Sequence, residues 1–448
     1  MNVFIDKFGA IGDGVFDSSL PIRQAIEEVR NAGGGKVIVK KGVWKTGPID
    51  LYSNIELHLK KGAVISFIPK PELYPPVFTR WEGVECWCMH PCVFADKQEN
   101  VHISGKGTFD GNGQWWWEQR REKKAHQKEP VTEIEKKFAA LNPEYMTQPG
   151  GGGGRETQFL RPPLVQFLNC KNVKIEGVTL ANSPFWTMHP VYCDGLEMIK
   201  MTVKNPHDAP NTDGIDIDSC QNVKVINCIV AVGDDGIALK SGSGPDGIKV
   251  NKPCRNVLVK GCTVGDGHGG IVIGSETAAG VDHLVAENCK FIGTDRGIRI
   301  KTRRGRGGDI HHLEFRNLTM KANLCPFAMN MYYKCGAKPE DEYFSLEKLP
   351  VNSETPRIHD VFISGIKAKD CKASAGLIIG LPECPIENLK IENSSFSTDE
   401  KSTISPQESD MFFGIPPVDV KSFRIIFAKD PKFSNCRISG PKEVFIYE

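Results

Sequence analysis

The sequence lacks any apolar run long enough to cross a membrane: no stretch of its 448 residues approaches the roughly 20 apolar residues of a membrane helix. The N-terminal residues Met1 to Lys7 also lack the apolar core and small-residue end of a secretory signal. Excess charge is absent too, because 56 Lys and Arg residues balance 55 Asp and Glu residues. Bulk charge therefore gives no reason to expect nucleic acid or a membrane as a partner, and we predict neither.

Several functional motifs are missing as well. The glycine run Gly150 to Gly154 is not followed by Gly-Lys-[Ser/Thr], which disfavours a phosphate loop and favours a flexible hinge or flap. The Trp-Asp signature of β-propellers is absent, and so is the pattern of helical repeats. Clear oxygen-rich loops with calcium-binding spacing are also missing.

The fifteen cysteines are an odd number and recur in similar contexts, such as Asn169-Cys170-Lys171 and Asn288-Cys289-Lys290. Buried thiols pack like small hydrophobic side chains. This spacing favours a ladder of free thiols over a disulfide framework, so we predict a reducing compartment, the cytoplasm. The alternative is a secreted protein whose signal peptide has been removed.

Four short stretches of the chain resemble one another. Each contains Gly-Ile-x-[Ile/Leu], and they run Asn211-Thr-Asp-Gly-Ile-Asp-Ile-Asp218, Gly233-Asp-Asp-Gly-Ile-Ala-Leu-Lys240, Gly267-His-Gly-Gly-Ile-Val-Ile-Gly274 and Thr294-Asp-Arg-Gly-Ile-Arg-Ile-Lys301. Repeats separated by 20–50 residues are typical of solenoids, in which successive coils extend one core.

A second recurring element alternates apolar and polar residues and ends in Gly or Asn, as in Asn172-Val-Lys-Ile-Glu-Gly177 and Asn388-Leu-Lys-Ile-Glu-Asn393. The alternation predicts strands with one buried face, and the final Gly or Asn predicts a left-handed corner. We therefore predict an all-β protein, a right-handed parallel β-helix forming a single catalytic domain over residues 1–448. Long insertions at residues 113–157 and 333–356 are expected near the cleft.

One amphipathic helix is expected near the N-terminus. Ser18 or Ser19 can cap it, and its apolar face would cover the open end of the solenoid core. The residues on that face are Ile22, Ala25, Ile26 and Val29.

Alignment of the four glycines brings acidic residues and a histidine onto neighbouring coils. Asp213 and Asp235 fall just before the glycine, while Asp234 and His268 fall one residue earlier. Strict alternation would turn Asp213 and Asp235 inward, so we expect the following glycine to permit a bend that re-aims them. Paired carboxylates suit glycoside hydrolysis, in which one is protonated to donate and the other stays ionised.

Basic residues dominate the fourth coil. Arg299 and Lys301 lie two apart on one predicted strand and should face outward as a cationic platform, extended by Arg303, Arg304 and Arg306. Such a platform fits a sugar that carries carboxylates, because arginine can hold a carboxylate with two parallel hydrogen bonds. A solvated basic face is the alternative when the motif is considered alone.

Together these residues carry a family resemblance. Asn211-Thr-Asp-Gly214, Gly233-Asp-Asp235 with Lys240-Ser-Gly242, Gly267-His-Gly269 and Arg299-Ile-Lys301 resemble the four motifs of the polygalacturonases, glycoside hydrolase family 28. The runs His268 to Glu276 and Ser183 to Pro190 are more similar to the bacterial exo-acting members. The resemblance implies inverting hydrolysis of α-1,4-linked galacturonic acid in pectin or oligogalacturonides, from the non-reducing end, with no metal or cofactor.

The resemblance also implies residue roles. Asp234 would be the general acid, Asp213 and Asp235 would hold and deprotonate the water, and His268 would tune the acid. Substrate binding would fall to Asn211, Arg299 and Lys301, with His189, Tyr332 and Tyr333 as further candidates.

Three alternatives stay open: a hydrolase of rhamnogalacturonan or decorated pectin, a lyase of similar fold, and a non-catalytic β-helix that binds glycans. The Trp115–Trp117 run could either wall off one end of the cleft or anchor its own flap.

Overall fold

The fold is taken from a computed structural model that describes residues 1–126, 129–144, 161–440 and 443–447, with the backbone alone described at 124–126. Its strands build three parallel sheets of 13, 12 and 13 strands and one two-stranded sheet. We call the three large sheets sheet one, sheet two and sheet three. The chain falls into two compact units, which are described separately.

The first unit comprises the described residues within Met1–Trp81, Glu85–Gln148 and Gly153–Asp234. Its strands in sheet one are Asn2–Phe4, Gly35–Val39, Ile55–Leu59, His102–Gly105, Lys171–Glu176, Asp194–Ile199 and Gln221–Ile226. In sheet two they are Ile49–Asp50, Val93–Asp96, Val165–Leu168, Met188–Val191 and Ile215–Asp218. In sheet three they are Asp13–Asp17, Gly42–Thr46, Ala63–Phe67, Thr108–Asp110, Thr179–Ala181, Thr202–Lys204 and Ile229–Ala231. The two-stranded sheet is formed by Pro76–Trp81 and Val84–Met89.

The second unit comprises the described residues within Glu82–Val84, Pro149–Gly152 and Asp235–Glu448. Its strands in sheet one are Cys254–Lys260, Val281–Glu287, Asp309–Arg316, Arg357–Ser364, Glu387–Glu392 and Lys432–Ser434. In sheet two they are Asp235–Lys240, Gly269–Gly274, Arg296–Lys301, Cys325–Asn330, Gly376–Ile379, Phe423–Ile426 and Phe445–Tyr447. In sheet three they are Thr263–Gly265, Lys290–Ile292, Thr319–Lys321, Lys367–Cys371, Ser395–Thr398 and Arg437–Ser439.

In the three large sheets, successive strands along the chain belong to different sheets, and within each unit a strand pairs in parallel with its counterpart one coil later. The coil of the second unit that begins at Val281–Glu287 continues through Lys290–Ile292 to Arg296–Lys301, and the chain then returns to sheet one at Asp309–Arg316. Each unit is therefore built from coils of a right-handed parallel β-helix, which confirms the predicted fold class. The prediction of one domain over the whole chain stays a prediction.

Helices are few among the described residues. The α-helices are Ser19–Asn31, Gln114–His126, Glu133–Leu141 and Gly244–Val250. Short 3-10 helices occur at Ile5–Phe8, Pro71–Leu73, Glu342–Phe344 and Pro406–Ser409. None of the described helices is long and apolar enough to span a membrane.

The N-terminal helix Ser19–Asn31 contacts strands of all three sheets at the start of the first unit, so it is the predicted cap. Its predicted apolar face is buried, together with Pro21. Ser18 occupies the cap position as predicted, and its carbonyl accepts from the Ile22 N–H at 3.0 Å, but its side chain accepts no hydrogen bond from the helix. Instead the carboxylate of Asp17 accepts a 2.9 Å hydrogen bond from the backbone N–H of Ser19.

The predicted left-handed corners are present. Gly177 and Asn227, for example, end their elements with φ of 76° and 54°. The first residue of the same element is left-handed as well, since Asn172 and Asn222 have φ of 52° and 58°. The sequence analysis had assigned one left-handed corner to each element where the structure has two. Asparagine suits both because its side chain tolerates this conformation better than most.

The repeated glycines have a steric role. Gly236, Gly270 and Gly297 all lie inside strands of sheet two, so the bend expected at Gly236 is not there, whereas Gly214 does lie at a bend. A Cβ atom at Gly270 would lie 2.6 Å from the Phe291 ring and 2.7 Å from the carbonyl oxygen of Gly297 in the next coil. The repeat therefore keeps glycine because the coil leaves no room for a side chain there.

Part of the first insertion is described. Trp116 and Trp117 are buried: the Trp116 ring meets Tyr74 edge-on at 5.5 Å, and the Trp117 indole N–H donates to the carbonyl of Ser183 at 2.9 Å. These contacts favour the anchoring alternative for this tryptophan run. The hinge predicted at Gly150 to Gly154 lies outside the described residues.

All fifteen cysteines are free thiols, twelve buried and three half-buried, which confirms the prediction against a disulfide framework. In the first unit, Cys170, Cys193 and Cys220 follow one another on successive coils, and the Cys193 N–H donates to the Cys220 sulfur at 3.3 Å. Burial raises the pKa of the Cys193 thiol well above its ordinary value, so this thiol is unreactive. The cytoplasmic location stays a prediction.

We predict that Gly270→Ala lowers the free energy of unfolding by about 1–3 kcal/mol, the usual cost of overpacking a core. Unfolding by urea, followed by circular dichroism, measures the change. The matched control is Gly265→Ala, because a Cβ there would meet nothing nearer than 3.8 Å. Equal unfolding midpoints for the two variants would show that steric exclusion is not the reason for glycine at position 270.

Candidate active site

Sheet two of the second unit sets the register of the fourth motif. Arg296 is paired with Gly269 and Arg299 with Val272, and Gly269 is paired in turn with Asp235. Lys301 is paired with Gly274. These pairings within the second unit confirm the columns predicted by aligning the repeat glycines. Small or apolar partners leave the long side chains of Arg299 and Lys301 free to cross neighbouring coils.

Asp235 is held by both basic residues of the fourth motif. The Lys301 ammonium lies 2.5 Å from Asp235 Oδ2, and Arg299 Nη1 lies 3.4 Å from Oδ1. All three side chains are buried, with Asp235 only 1% exposed. Two cations at this range stabilise the ionised carboxylate, and burial strengthens their effect.

A second carboxylate, Asp410, completes the coordination of Arg299. Its Oδ1 accepts from Arg299 Nη2 at 2.8 Å and lies 3.7 Å from Arg296 Nε, while its Oδ2 accepts from Asn330 Nδ2 at 3.1 Å. Asp410 comes from a loop 111 residues beyond Arg299, outside every repeat. Sequence reasoning missed it because no periodic signal marks that loop.

Opposing effects act on the pKa values of Asp410 and Arg299. Burial alone would raise the pKa of Asp410, but Arg299 and Arg296 hold it below its ordinary value. Burial alone would lower the pKa of Arg299, but Asp410 first, and then Tyr333 and Asp235, raise it. Both groups are therefore charged, and their attraction offsets the desolvation that each suffers.

Glu276 holds a second group of cations. Its Oε2 lies 3.1 Å from the Lys240 ammonium, and its Oε1 lies 4.0 Å from Arg306. Burial alone would raise its pKa, but Lys240, Arg306 and Lys301 lower it to about 2. Lys301 thus acts on both Glu276 and Asp235, which links the two groups.

We call this set the charged network of the second unit. Its members are Asp235, Lys240, Glu276, Arg296, Arg299, Lys301, Arg306 and Asp410, and all eight are buried. Five are cations and three are carboxylates, and Asp295, which is one-third exposed, adds a fourth carboxylate 3.1 Å from Arg296. One positive charge is therefore left in excess in a poorly solvated setting. An anionic group of a ligand would reduce that excess.

The two candidate tyrosines have different environments. The Tyr333 ring lies 5.5 Å from the Arg299 guanidinium and 5.3 Å from the Lys301 ammonium. Burial raises the pKa of its phenol well above the ordinary value, so it stays protonated. Tyr332 instead donates its hydroxyl to the carbonyl of Ser345 at 3.0 Å and packs near Arg304. Only Tyr333 adjoins the cations of the fourth motif.

The predicted extension of the cationic platform is wrong for Arg303 and Arg304, whereas Arg306 belongs to the charged network. Arg303, Arg304 and Arg306 donate to backbone carbonyls of the second insertion: Arg303 to Gly336 at 3.0 Å, Arg304 to Tyr343 at 2.9 Å, and Arg306 to Cys335 at 3.3 Å. Arg304 also forms a two-pronged ion pair with Glu383, at 2.6 and 2.8 Å. Arg303 and Arg304 were expected to extend the platform, but their donors are used to hold the 333–356 segment and Glu383.

Asp213, Asp234 and His268 are placed by their coils. Asp213, in the first unit, is 3% exposed, and its carbonyl accepts from the Thr187 N–H at 2.9 Å. Asp234 ends the first unit and is half-buried. His268, in the second unit, is also half-buried, and its carbonyl accepts from the Arg296 N–H at 3.3 Å. The partial exposure of Asp234 and His268 suits groups that exchange protons with a substrate.

His189 belongs to a buried polar chain in the first unit. Its Nδ1 lies 2.9 Å from the Gln166 amide nitrogen, and its Nε2 lies 3.5 Å from Asp218 Oδ2. Asp218 also forms a 2.9 Å ion pair with the fully buried Arg80. With 1% exposure, His189 packs against the Trp186 ring at 4.7 Å instead of facing solvent. These contacts favour a role for His189 in positioning neighbouring side chains over direct contact with a substrate.

Asn211 is half-buried and lies in the left-handed conformation, with φ of 54°. Its side-chain oxygen accepts a 2.8 Å hydrogen bond from Arg161, whose other terminal nitrogen donates to the Pro210 carbonyl at 2.7 Å. Arg161 therefore holds Pro210 and Asn211 in place, where the first motif begins. The repeats do not contain Arg80 or Arg161, so sequence reasoning had no signal for either.

Comparisons with known proteins identify relatives. The model of the family described as glycosyl hydrolases family 28 matches residues 151–406. A probable polygalacturonase of Vitis vinifera is 28% identical over 86% of this chain and 72% of its own length. The exo-poly-alpha-D-galacturonosidase of Dickeya chrysanthemi is 28% identical over 83% of this chain, which spans 62% of that relative. The solved structure of a hyperthermoactive exopolygalacturonase from Thermotoga maritima is 33% identical, with a TM-score of 0.76 over 90% of this chain and 88% of that one.

We predict that Glu276 makes stability depend on pH under acidic conditions. Its pKa in the folded protein is about 2 against an ordinary value of 4.5, so its contribution is present above pH 4.5 and is lost as pH falls toward 2. At about 1.36 kcal/mol per pKa unit, the full loss is on the order of 3 kcal/mol. The measurement is the free energy of unfolding from pH 5 to pH 2, for wild type and for Glu276→Gln.

The Glu276→Gln variant should be less stable at pH 5 and lose less stability on acidification. Glu340→Gln is the matched control, because Glu340 is exposed and lies outside the charged network. Parallel pH profiles for wild type and Glu276→Gln would contradict the assignment.

Proposed function

This chain belongs to glycosyl hydrolases family 28, and on that premise we propose that it hydrolyses α-1,4-linked galacturonic acid in pectin or oligogalacturonides. It is a glycoside hydrolase by family membership. The galacturonate substrate is supported by relatives whose names identify them as polygalacturonases and exo-polygalacturonases.

The observation that carries the proposal is the buried, positively charged network around Arg299 and Lys301. A neutral sugar would gain little from displacing water beside five buried cations. A galacturonate carboxylate can accept hydrogen bonds from the Arg299 guanidinium and neutralise the excess charge. Tyr333 adjoins both cations and so supports the same carboxylate position.

For the bond-breaking step, we assign the general acid to Asp234. It donates its proton to the leaving glycosidic oxygen, while Asp213 and Asp235 orient a water molecule and accept its proton. Lys301 and Arg299 support the role of Asp235, because they favour its ionised form before the water is deprotonated. His268 is assigned to tuning the acid, in keeping with its partial exposure.

We further propose exo action from the non-reducing end, through an inverting mechanism. The exo-acting relatives from Dickeya chrysanthemi and Thermotoga maritima support it. An exo enzyme releases one product length from the chain end, whereas an open groove yields mixed lengths. The product profile therefore separates the two modes directly.

We predict that Asp234→Asn lowers kcat on oligogalacturonides by at least about 100-fold, the lower end of what a general acid contributes. Chromatography of the products should show release of monomer alone by wild type and almost no product from the variant. Circular dichroism verifies that the variant is folded. Asp419→Asn, an exposed aspartate elsewhere in the second unit, is the matched control and should leave kcat unchanged.

Near-normal activity of Asp234→Asn would refute the acid assignment. Products of mixed length from wild type would instead refute exo action and leave hydrolysis intact. Unsaturated products absorbing in the ultraviolet would identify a lyase.

A further inference from the structure

Several histidines lie close together on sheet one of the second unit. Sheet one does not carry the charged network. The histidines come from neighbouring strands: His283 from Val281–Glu287, and His311 and His312 from Asp309–Arg316. Asp282 precedes His283 and is paired with His311. We call Asp282, His283, His311 and His312 the histidine cluster.

Three imidazole nitrogens converge on one carboxylate oxygen. Asp282 Oδ1 lies 2.6 Å from the Nδ1 of His283, 3.0 Å from that of His312 and 3.2 Å from that of His311. The Nδ1 atoms of His311 and His312 are 2.6 Å apart. Two bare ring nitrogens at that distance would repel each other, so either the Nδ1–H of one neutral ring or a cation lies between them.

His283 and His312 stand at a coil corner where other coils of the second unit carry Asn or Asp. At the corner that opens these strands, successive coils of the second unit carry Asn256, His283, His312, Asp360 and Asn388, all left-handed with φ between 50° and 58°. Asparagine meets the backbone requirement at the two ends of this series. Corner geometry alone therefore does not require imidazole at positions 283 and 312.

We propose that the histidine cluster binds one divalent transition-metal ion, with Zn²⁺ as the expected occupant. Asp282, His283 and His312 each offer one ligand atom, and these three atoms lie within 4.8 Å of one another, which is the three-ligand set of an open zinc site. Imidazole selects zinc, copper or nickel over magnesium and calcium, which favour oxygen ligands. This proposal does not depend on the hydrolytic function.

Outer contacts support the arrangement. His311 Nδ1 lies 2.6 Å from His312 Nδ1, so His311 contacts this ligand ring from outside the three-ligand set, as outer-shell partners commonly do, and its own Nε2 lies 3.9 Å from Asp309 Oδ2. His359 stacks on His311 with ring centres 4.9 Å apart and planes 3° from parallel, and it bonds to Asp309 at 2.9 Å. Asp309 and His359 therefore fix the orientation of the His311 ring.

Two features limit the affinity. Ligand atoms of tetrahedral zinc are about 3.3 Å apart, so the atoms now 2.6 Å apart must separate by several tenths of an ångström. The side chains of His283 and His312 are also 59% and 49% exposed, which lets these two rings move. The site is consequently expected to be reversible and removable by a chelator.

Isothermal titration of the chelator-treated, untagged protein with ZnCl₂ tests the proposal. We expect saturable binding of about one Zn²⁺ per chain, Cu²⁺ binding at least as tightly, and no binding of Mg²⁺. His312→Asn should weaken zinc binding by at least about tenfold, because even outer-shell partners contribute about 10–100-fold. Asparagine already occupies this corner at 256 and 388, so the variant should fold normally.

His102→Asn is the matched control. His102 also lies on sheet one beside carboxylates, with Glu176 Oε1 3.3 Å away, but it belongs to the first unit and not to the histidine cluster. It should leave zinc binding unchanged. Absence of saturable binding to wild type, or equal affinity of wild type and His312→Asn, would overturn the proposal and leave a hydrogen-bonded ladder only.

Discussion

The parallel pairing of successive coils is the constraint on which the structure depends. It places corresponding residues of consecutive coils side by side, so that they form a column of side chains. The residue in each coil of a column can differ without changing the fold. In the second unit the same pairing aligns Gly269 with Arg296 and Val272 with Arg299. The scaffold demands only glycine and apolar residues at its core positions, as Gly270 and Ile271 illustrate. The remaining positions are free to carry charge.

The charge that results is stable only because the loops supply partners. Arg299 is almost fully buried, and burial without compensation would cost several kcal/mol. Asp235 from two coils earlier and Asp410 from a distant loop provide that compensation. The network still holds more cations than carboxylates, and this imbalance is what we connect with an acidic sugar. Because these charged groups are already in place before substrate binds, binding requires less reorganisation of the site.

Much of the fold could be predicted because periodic patterns report coil structure directly. The Gly-Ile repeats predicted the columns containing Arg299 and Lys301, and the buried face of the first helix predicted its capping role. Features that depend on irregular segments could not be predicted. Asp410 occupies a loop without periodicity. Arg303 and Arg304 were expected to extend the cationic platform, but they donate to carbonyl groups of the second insertion. The histidine cluster was also missed, since His283 and His312 stand at corner positions where asparagine is as suitable.

The central claim is that Arg299 selects a sugar carboxylate. The most direct measurement compares kcat/KM for an oligogalacturonide and for its methyl ester, in wild type and in Arg299→Ala. Wild type should strongly prefer the free acid, and the variant should lose this preference mainly through a raised KM for the acid. An unchanged preference in folded Arg299→Ala would contradict it.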